Sequence, residues 1–133
     1  MCALLGGRAA EAIALHSVST GAHDDLQRVT DIAYKIVASF GMTEAVGSIN
    51  VSSPKPEEGR RPYSNDLSEL IDVEAQRIVA EAYRRAESVL RANETKLQAL
   101  AAKLLERETL DYAAIEAVLG PRPAQAAVPG RLM

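Results

Sequence analysis

Apolar residues recur every three or four positions along most of the chain, which is the spacing that places them on one face of an α-helix. This pattern predicts a first helix over residues 7–15 and a second helix over residues 23–40. Thr20 is the expected N-cap of the second helix, and Gly41 is expected to end it. The expected inner faces are Leu5, Ala9, Ala12 and Ile13 in the first helix, and Leu26, Val29, Ala33, Ile36, Val37 and Phe40 in the second.

The second half of the chain is more strongly helical. A long helix is predicted over residues 66–91, with Asp66 and Glu69 forming a capping box at its start. A further helix follows Asn93, and its leucines are spaced as in a helix that packs against a partner helix. We expect these two helices to form an antiparallel hairpin. The expected inner faces are Leu67, Leu70, Ile71, Ile78, Ala82, Ala86, Val89 and Leu90, and then Leu97, Leu100, Ala101, Leu104 and Leu105.

A short last helix is predicted over residues 112–119, capped by Asp111 and ended by Gly120 and Pro121. Residues 42–66 break the helical pattern, with a strand and loop insertion at about residues 47–66. Their first part, GSINVS, alternates as a short strand does, and the proline-rich part after it is typical of a loop. The sequence therefore predicts an all-α, mainly helical fold, a bundle of about five helices with one short strand and loop insertion.

Length and composition fit one domain over residues 1–120, followed by a Pro/Ala-rich tail over residues 121–133 that we expect to be disordered. Aromatic residues make up only 4% of the 133 residues, so the core must be built from Ala, Leu, Ile and Val. The net charge of −3 argues against nucleic acid as a partner. No apolar run is long enough to span a bilayer, and we expect this chain itself to be soluble.

Few residues are candidates for chemistry. Cys2 is the only cysteine, so an internal disulfide and a cysteine-based zinc motif are both excluded. The remaining candidates are His16, His23, Asp24 and Asp25. The two aspartates have two interpretations: acidic residues that stabilise the start of a helix, or a carboxylate that binds a metal whose other ligands come from elsewhere.

Four motifs occur in a specific order along the chain, namely LGGR, TGA-x-x-DL, FGM and E-x-LD. In these motifs the sequence resembles the peptidase domain of the FtsH family, the zinc-protease half of membrane-anchored AAA proteases. The resemblance extends from Leu4 to about Pro123. It is greatest to the mitochondrial members of the family.

The resemblance implies an ATP-dependent zinc endopeptidase that acts on protein substrates at the mitochondrial inner membrane. It also implies a hexamer of protease subunits, with membrane helices and an ATP-binding module upstream. Zinc in this family is held by two histidines of an H-E-x-x-H helix and by an aspartate that matches Asp25. The glutamate of that motif activates a zinc-bound water. Asp24 is then expected to support the ligand or the helix start, and His23 is not expected to bind zinc.

The sequence contains no H-E-x-x-H and no phosphate-binding loop. It therefore looks like the C-terminal portion of a peptidase domain, and we expect the isolated chain to be inactive. The alternative is a non-catalytic helical module that assembles with protease subunits. We also expect Leu4, Leu5, Ala9 and Ile13 to form an exposed face that would meet the missing active-site helix.

Overall fold

The computed structural model describes residues 1–51 and 63–122, and these residues form α-helices and turns without a β-strand. The predicted all-α class is confirmed. The described helices form two compact units, one of Met1–Arg91 and one that begins at Ala92, and each is considered by itself. The helices are α1 (Cys2–Ala14), α2 (His23–Tyr34), α3 (Asn65–Ala92), α4 (Glu94–Arg107) and α5 (Tyr112–Leu119).

Helix α1 begins five residues earlier than the periodicity predicts, so that Gly6 and Gly7 lie inside it. Its inner face is buried: Leu5 is 1%, Ala9 0% and Ile13 6% exposed. The expectation that this face is exposed was therefore wrong. These residues are covered because α2 and α3 pack against them, with Leu5 and Ala9 in one cluster with Val29 and Ala86. Leu4 packs against the same cluster and is half-buried.

Helix α2 provides the most completely buried face of the first unit. Val29, Ala33 and Val37 are each 0% exposed. The helix continues into a π-helical segment, Lys35–Ser39, in which the amide of Phe40 donates to the carbonyl of Lys35 at 2.9 Å. Val37, within this segment, lies four residues after Ala33 and belongs to the same buried cluster.

Phe40 was predicted to lie on the buried stripe, but it is 60% exposed. The helical rotation ends at Ser39, and Phe40 lies beyond it as the C-terminal cap. Gly41 then adopts a left-handed conformation with a φ of 57° and ends the helix, as predicted.

Helix α3 covers the predicted range and one residue more at each end. The hydroxyl of Ser64 accepts a hydrogen bond from the amide of Leu67 at 3.2 Å, so Ser64 rather than the predicted Asp66 caps its start. Ile71, Ala75 and Ala86 are buried along the helix. The predicted inner residue Val89 is 57% exposed.

The strand predicted from GSINVS is absent from residues 47–51, which are irregular with a bend at Ser48. Gly47 has a φ of 79°, and the amide of Ile49 donates to the carbonyl of Gly47 at 2.9 Å. The amide of Val51 donates to the carbonyl of Ala38 at 2.7 Å, at the end of the π-helical segment. These bonds hold the segment as a loop against a helix. The remainder of the predicted insertion, residues 52–62, lies outside the described residues.

In the second unit, α5 has the predicted bounds and the predicted cap. The carboxylate of Asp111 accepts a hydrogen bond from the amide of Ala114 at 2.8 Å, and Gly120 has a φ of 84° at the other end. The ammonium group of Lys96 donates to the carbonyl of Leu119 at 2.8 Å and so links α4 to α5. Neither helix contains a fully buried residue. Leu105, on the predicted inner face of α4, is 87% exposed.

The hairpin of α3 with α4 stays a prediction, since α4 belongs to the second unit. Most of the predicted disordered tail, residues 123–133, lies outside the described residues. Within the described ranges, no helix combines the length and the apolar character needed to cross a bilayer.

Leu5→Ala tests whether the α1 face carries the stability of the first unit. We expect the free energy of unfolding to fall by about 2–5 kcal/mol, because a fully buried leucine loses its contacts and leaves a cavity. Urea denaturation followed by circular dichroism measures the change. Leu15→Ala is the matched control: Leu15 is 67% exposed just after the same helix, and its loss should stay within about 0.5 kcal/mol. Equal effects of the two substitutions would contradict the packing described.

Gly41→Ala tests the end of the π-helical segment. A Cβ atom at Gly41 would lie 2.7 Å from the carbonyl oxygen of Gly47 and 2.9 Å from the amide nitrogen of Ile49. We expect a loss of about 1 kcal/mol for the left-handed conformation and about 1–3 kcal/mol more for the clash. Gly47→Ala is the control, because it also has a positive φ but an added Cβ would meet open space. In thermal unfolding, the melting temperature of Gly41→Ala should be well below that of Gly47→Ala.

Candidate functional site

Asp25 lies in the first turn of α2, together with Asp24. In this position both carboxylates stabilise the partial positive charge at the start of the helix, as one interpretation predicted. The two side chains differ in burial, since Asp25 is half-buried and Asp24 is exposed. None of the hydrogen bonds and ion pairs found in residues 1–51 and 63–122 uses the Asp25 carboxylate, so its oxygens are available to a ligand.

The segment that leads into Asp25 is held by one carboxylate of α1. The Ser19 hydroxyl donates to Oε1 of Glu11 at 2.6 Å, and the Ser19 amide donates to Oε2 at 3.1 Å. Both carboxylate oxygens of Glu11 are therefore used by a residue eight positions later. The Ser19 hydroxyl in turn accepts from the amide of Gly21 at 3.1 Å. Ser19 caps the short 3-10 helix Thr20–Ala22, and α2 begins immediately after it.

The prediction that Thr20 caps α2 was wrong: the N-cap of α2 is Ala22, which makes no side-chain capping bond, and Ser19 caps the 3-10 helix that precedes α2. A sharp turn makes the arrangement possible. The carbonyl of Glu11 accepts from the amide of Leu15 at 2.9 Å, and His16 then has a φ of 49°. The chain thereby reverses within a few residues and returns Ser19 to the end of α1.

The hydrogen bond from the Ser19 hydroxyl lowers the pKa of Glu11, and the bond from the Ser19 amide lowers it further. Both bonds favour the ionised carboxylate, which accepts them better than a protonated acid. At neutral pH the start of α2 is therefore tied to α1 by a charged acceptor.

The other candidate residues are not brought into a site with Asp25. His16 and His23 are exposed, and Cys2 is half-buried against the cluster that contains Leu5. No group of three or more His, Cys, Asp and Glu side chains in the described part of the chain could hold a metal ion. A single carboxylate does not hold a catalytic zinc, which needs three protein ligands. Asp25 fits a zinc site as one oxygen ligand only.

Glu11 and Ser19 were not identified from the sequence. Ser19 precedes the Thr-Gly-Ala turn and two aspartates, and serine is a preferred capping residue, so this signal was available. Nothing in the sequence indicated Glu11 as the partner of Ser19, because their contact depends on the left-handed turn at His16.

The fold and the ordered motifs define the helical part of an FtsH-type peptidase domain. A family model described as "Peptidase family M41" matches residues 1–118. This chain belongs to peptidase family M41.

Individual relatives agree with this assignment. The chain is 42% identical over 127 residues to the ATP-dependent zinc metalloprotease FtsH of Rhodothermus marinus, covering 92% of this chain and 18% of that protein. It is 39% identical over 125 residues to the mitochondrial inner membrane m-AAA protease component AFG3L2 of Mus musculus, covering 92% and 16%. It is 44% identical over 116 residues to FtsH of Bacillus subtilis, covering 81% and 18%. The chain thus spans less than a fifth of the length of these relatives.

The lowered pKa of Glu11 predicts how the start of α2 responds to acid. Its hydrogen bonds to Ser19 add stability above the ordinary carboxyl pKa of 4.5, and this contribution is lost as the pH falls through the lowered pKa. Carbon-13 NMR of the Glu11 carboxyl should give a midpoint below 4.5, and Ser19→Ala should move it towards that value. Thr20→Ala, a neighbouring hydroxyl outside the Glu11 bonds, should leave the midpoint unchanged. A wild-type midpoint at or above the ordinary value would refute the arrangement.

Proposed function

We propose that this chain forms the C-terminal part of the peptidase domain of an ATP-dependent zinc metalloendopeptidase, and that Asp25 is the zinc ligand it contributes. The observation that carries the proposal is the position of Asp25. Its half-buried carboxylate lies in the first turn of α2, is not used by the described residues, and follows a turn held to α1 by Glu11. The family membership supports the type of enzyme.

Zinc bound in the complete site would activate a water molecule for peptide hydrolysis. The part played by this chain is to present one carboxylate in a fixed orientation. The resemblance assigns the other ligands to two histidines of an H-E-x-x-H motif, which this sequence lacks. The chain alone is therefore inactive as a protease, and casein hydrolysis by the purified 133-residue chain that a zinc chelator stops would contradict this.

The complete protein works, in this proposal, as a membrane-anchored hexamer of protease subunits that degrades and processes protein substrates, with ATP bound by a separate module. Two curated relatives are named as mitochondrial inner membrane m-AAA protease components. These names, and the resemblance of the sequence to the mitochondrial members of the family, favour the mitochondrial inner membrane as its location.

A non-catalytic role in assembly is the second candidate. It is favoured by the apolar side chains that the second unit exposes, among which Leu105 is 87% and Tyr112 67% exposed. In this alternative the chain joins a protease ring through its helices without contributing to hydrolysis. Co-purification of the 133-residue chain with protease subunits, with no change in the zinc content of the ring, would favour it.

Asp25→Asn tests the zinc role in a chimaera in which residues 1–118 replace the matching segment of the Bacillus subtilis relative. We expect bound zinc to be lost, because an amide is a poorer ligand than a carboxylate. Casein hydrolysis should fall by more than the roughly 10–100-fold typical of residues that only support a ligand. Metal analysis and a casein assay measure the two effects.

Asp24→Asn is the matched control, as it removes a charge from the same helical turn. It should leave zinc bound and hydrolysis within about tenfold of the unsubstituted chimaera. If Asp25→Asn retains zinc as well as Asp24→Asn does, Asp25 is not a ligand. If both variants retain zinc and lose the same amount of stability, the two aspartates act only by stabilising the start of the helix.

A further inference from the structure

The first unit contains a groove that the proposed zinc site does not use. Its volume is about 660 Å³, and it lies among α1, α2 and α3. This is within the range of roughly 300–1,000 Å³ that is typical of small-molecule sites. Its wall is mainly apolar and includes Leu5, Leu26, Val79 and Tyr83.

The buried clusters define the direction of the groove. Val29 of α2 clusters with Ala86 of α3, whereas Val37 clusters with Ile71. The two helices therefore run antiparallel along the groove. From residue 75 to residue 84 the wall formed by α3 is about 13 Å long at the standard helical rise.

The two ends of the groove differ in charge. Arg8 and Arg84 line the end at which Leu5 and Tyr83 lie. In residues 1–51 and 63–122, neither guanidinium group forms a direct salt bridge, although Arg8 lies near enough to the Glu11 carboxylate to help lower the pKa of Glu11. At the other end, the hydroxyl of Tyr34 lines the groove and donates to the carboxylate of Asp72 at 2.8 Å. The groove is thus apolar along its length, cationic at one end and acidic beside the other.

This polarity favours one kind of occupant. An alkyl chain is stabilised when it leaves water and packs along the apolar wall. An anionic head group at the arginine end accepts hydrogen bonds from two guanidinium groups, whose planar shape matches a carboxylate. A cationic head group would meet repulsion from the arginines and would have to leave water beside them. Because the groove is short, a single chain of medium length fills it.

We propose that this groove binds an amphiphilic carboxylate with one medium-length alkyl chain, its carboxylate between Arg8 and Arg84 and its chain pointing towards Tyr34. Asp25 does not line the groove, and the binding proposed here does not depend on the proposed protease function. The arginines recognise the head group, and the apolar wall selects the chain.

Isothermal titration of the 133-residue chain with decanoate, below the concentration at which decanoate forms micelles, is the first test. We expect saturable binding with one site per chain. Decyltrimethylammonium, which has the same alkyl chain and the opposite charge, should bind at least about tenfold more weakly, because it accepts no hydrogen bond from either guanidinium group. Equal affinity for the two amphiphiles, or no saturable binding of decanoate, would overturn the proposal.

Arg84→Gln should weaken decanoate binding about tenfold, and Arg8→Gln should do the same. Arg85→Gln is the matched control, since Arg85 is exposed, as Arg84 is, but does not line the groove. It removes the same charge from the same helix and should leave the affinity unchanged. An equal loss in Arg84→Gln and Arg85→Gln would mean that net charge alone attracts decanoate, and would overturn the site. The comparison of the two amphiphiles on the unsubstituted chain needs no folded variant.

Discussion

The buried face of α2 is the feature on which the rest of the first unit depends. Val29 and Ala33 of α2, and Val37 of the π-helical segment that continues it, are completely buried, and the two hydrophobic clusters found among the described residues of the unit include them. Val29 meets α1 through Leu5 and Ala9, whereas Ala33 and Val37 meet α3 through Ile71 and Ala75. Small and β-branched residues at these positions let the helices approach closely, so a core almost without aromatic residues is still well packed.

This packing also determines where Asp25 points. Val29 lies one helical turn after Asp25, so burying Val29 fixes the rotation of α2 about its own axis. The bonds of Glu11 to Ser19 fix the start of the same helix. A metal ligand needs this kind of double support, because a displacement of about 1 Å weakens a site. Core packing and the hydrogen bonds of Glu11 to Ser19 together position the carboxylate of Asp25, which itself takes no part in the core.

Regular periodicity and local capping were readable from the sequence, whereas features that depend on distant contacts were not. The bounds of α5 and its cap Asp111 followed from the sequence because both are local. The start of α1 did not, since Gly6 and Gly7 are poor helix formers in isolation and are held by the burial of Leu5. Likewise, TGA-x-x-DL pointed to Asp25, but the support from Glu11 required the folded turn at His16.

The distribution of these contacts separates the folding of this segment from the metal binding proposed for it. The buried residues of α1, α2 and α3 pack on one another without using Asp25, the one proposed ligand. In small zinc domains the metal is part of the folding free energy, because no apolar core exists without it. Here the buried residues hold the first turn of α2 through contacts that do not involve Asp25. In the proposed zinc site, the cost of ordering this ligand would therefore be met by hydrophobic burial rather than by the metal.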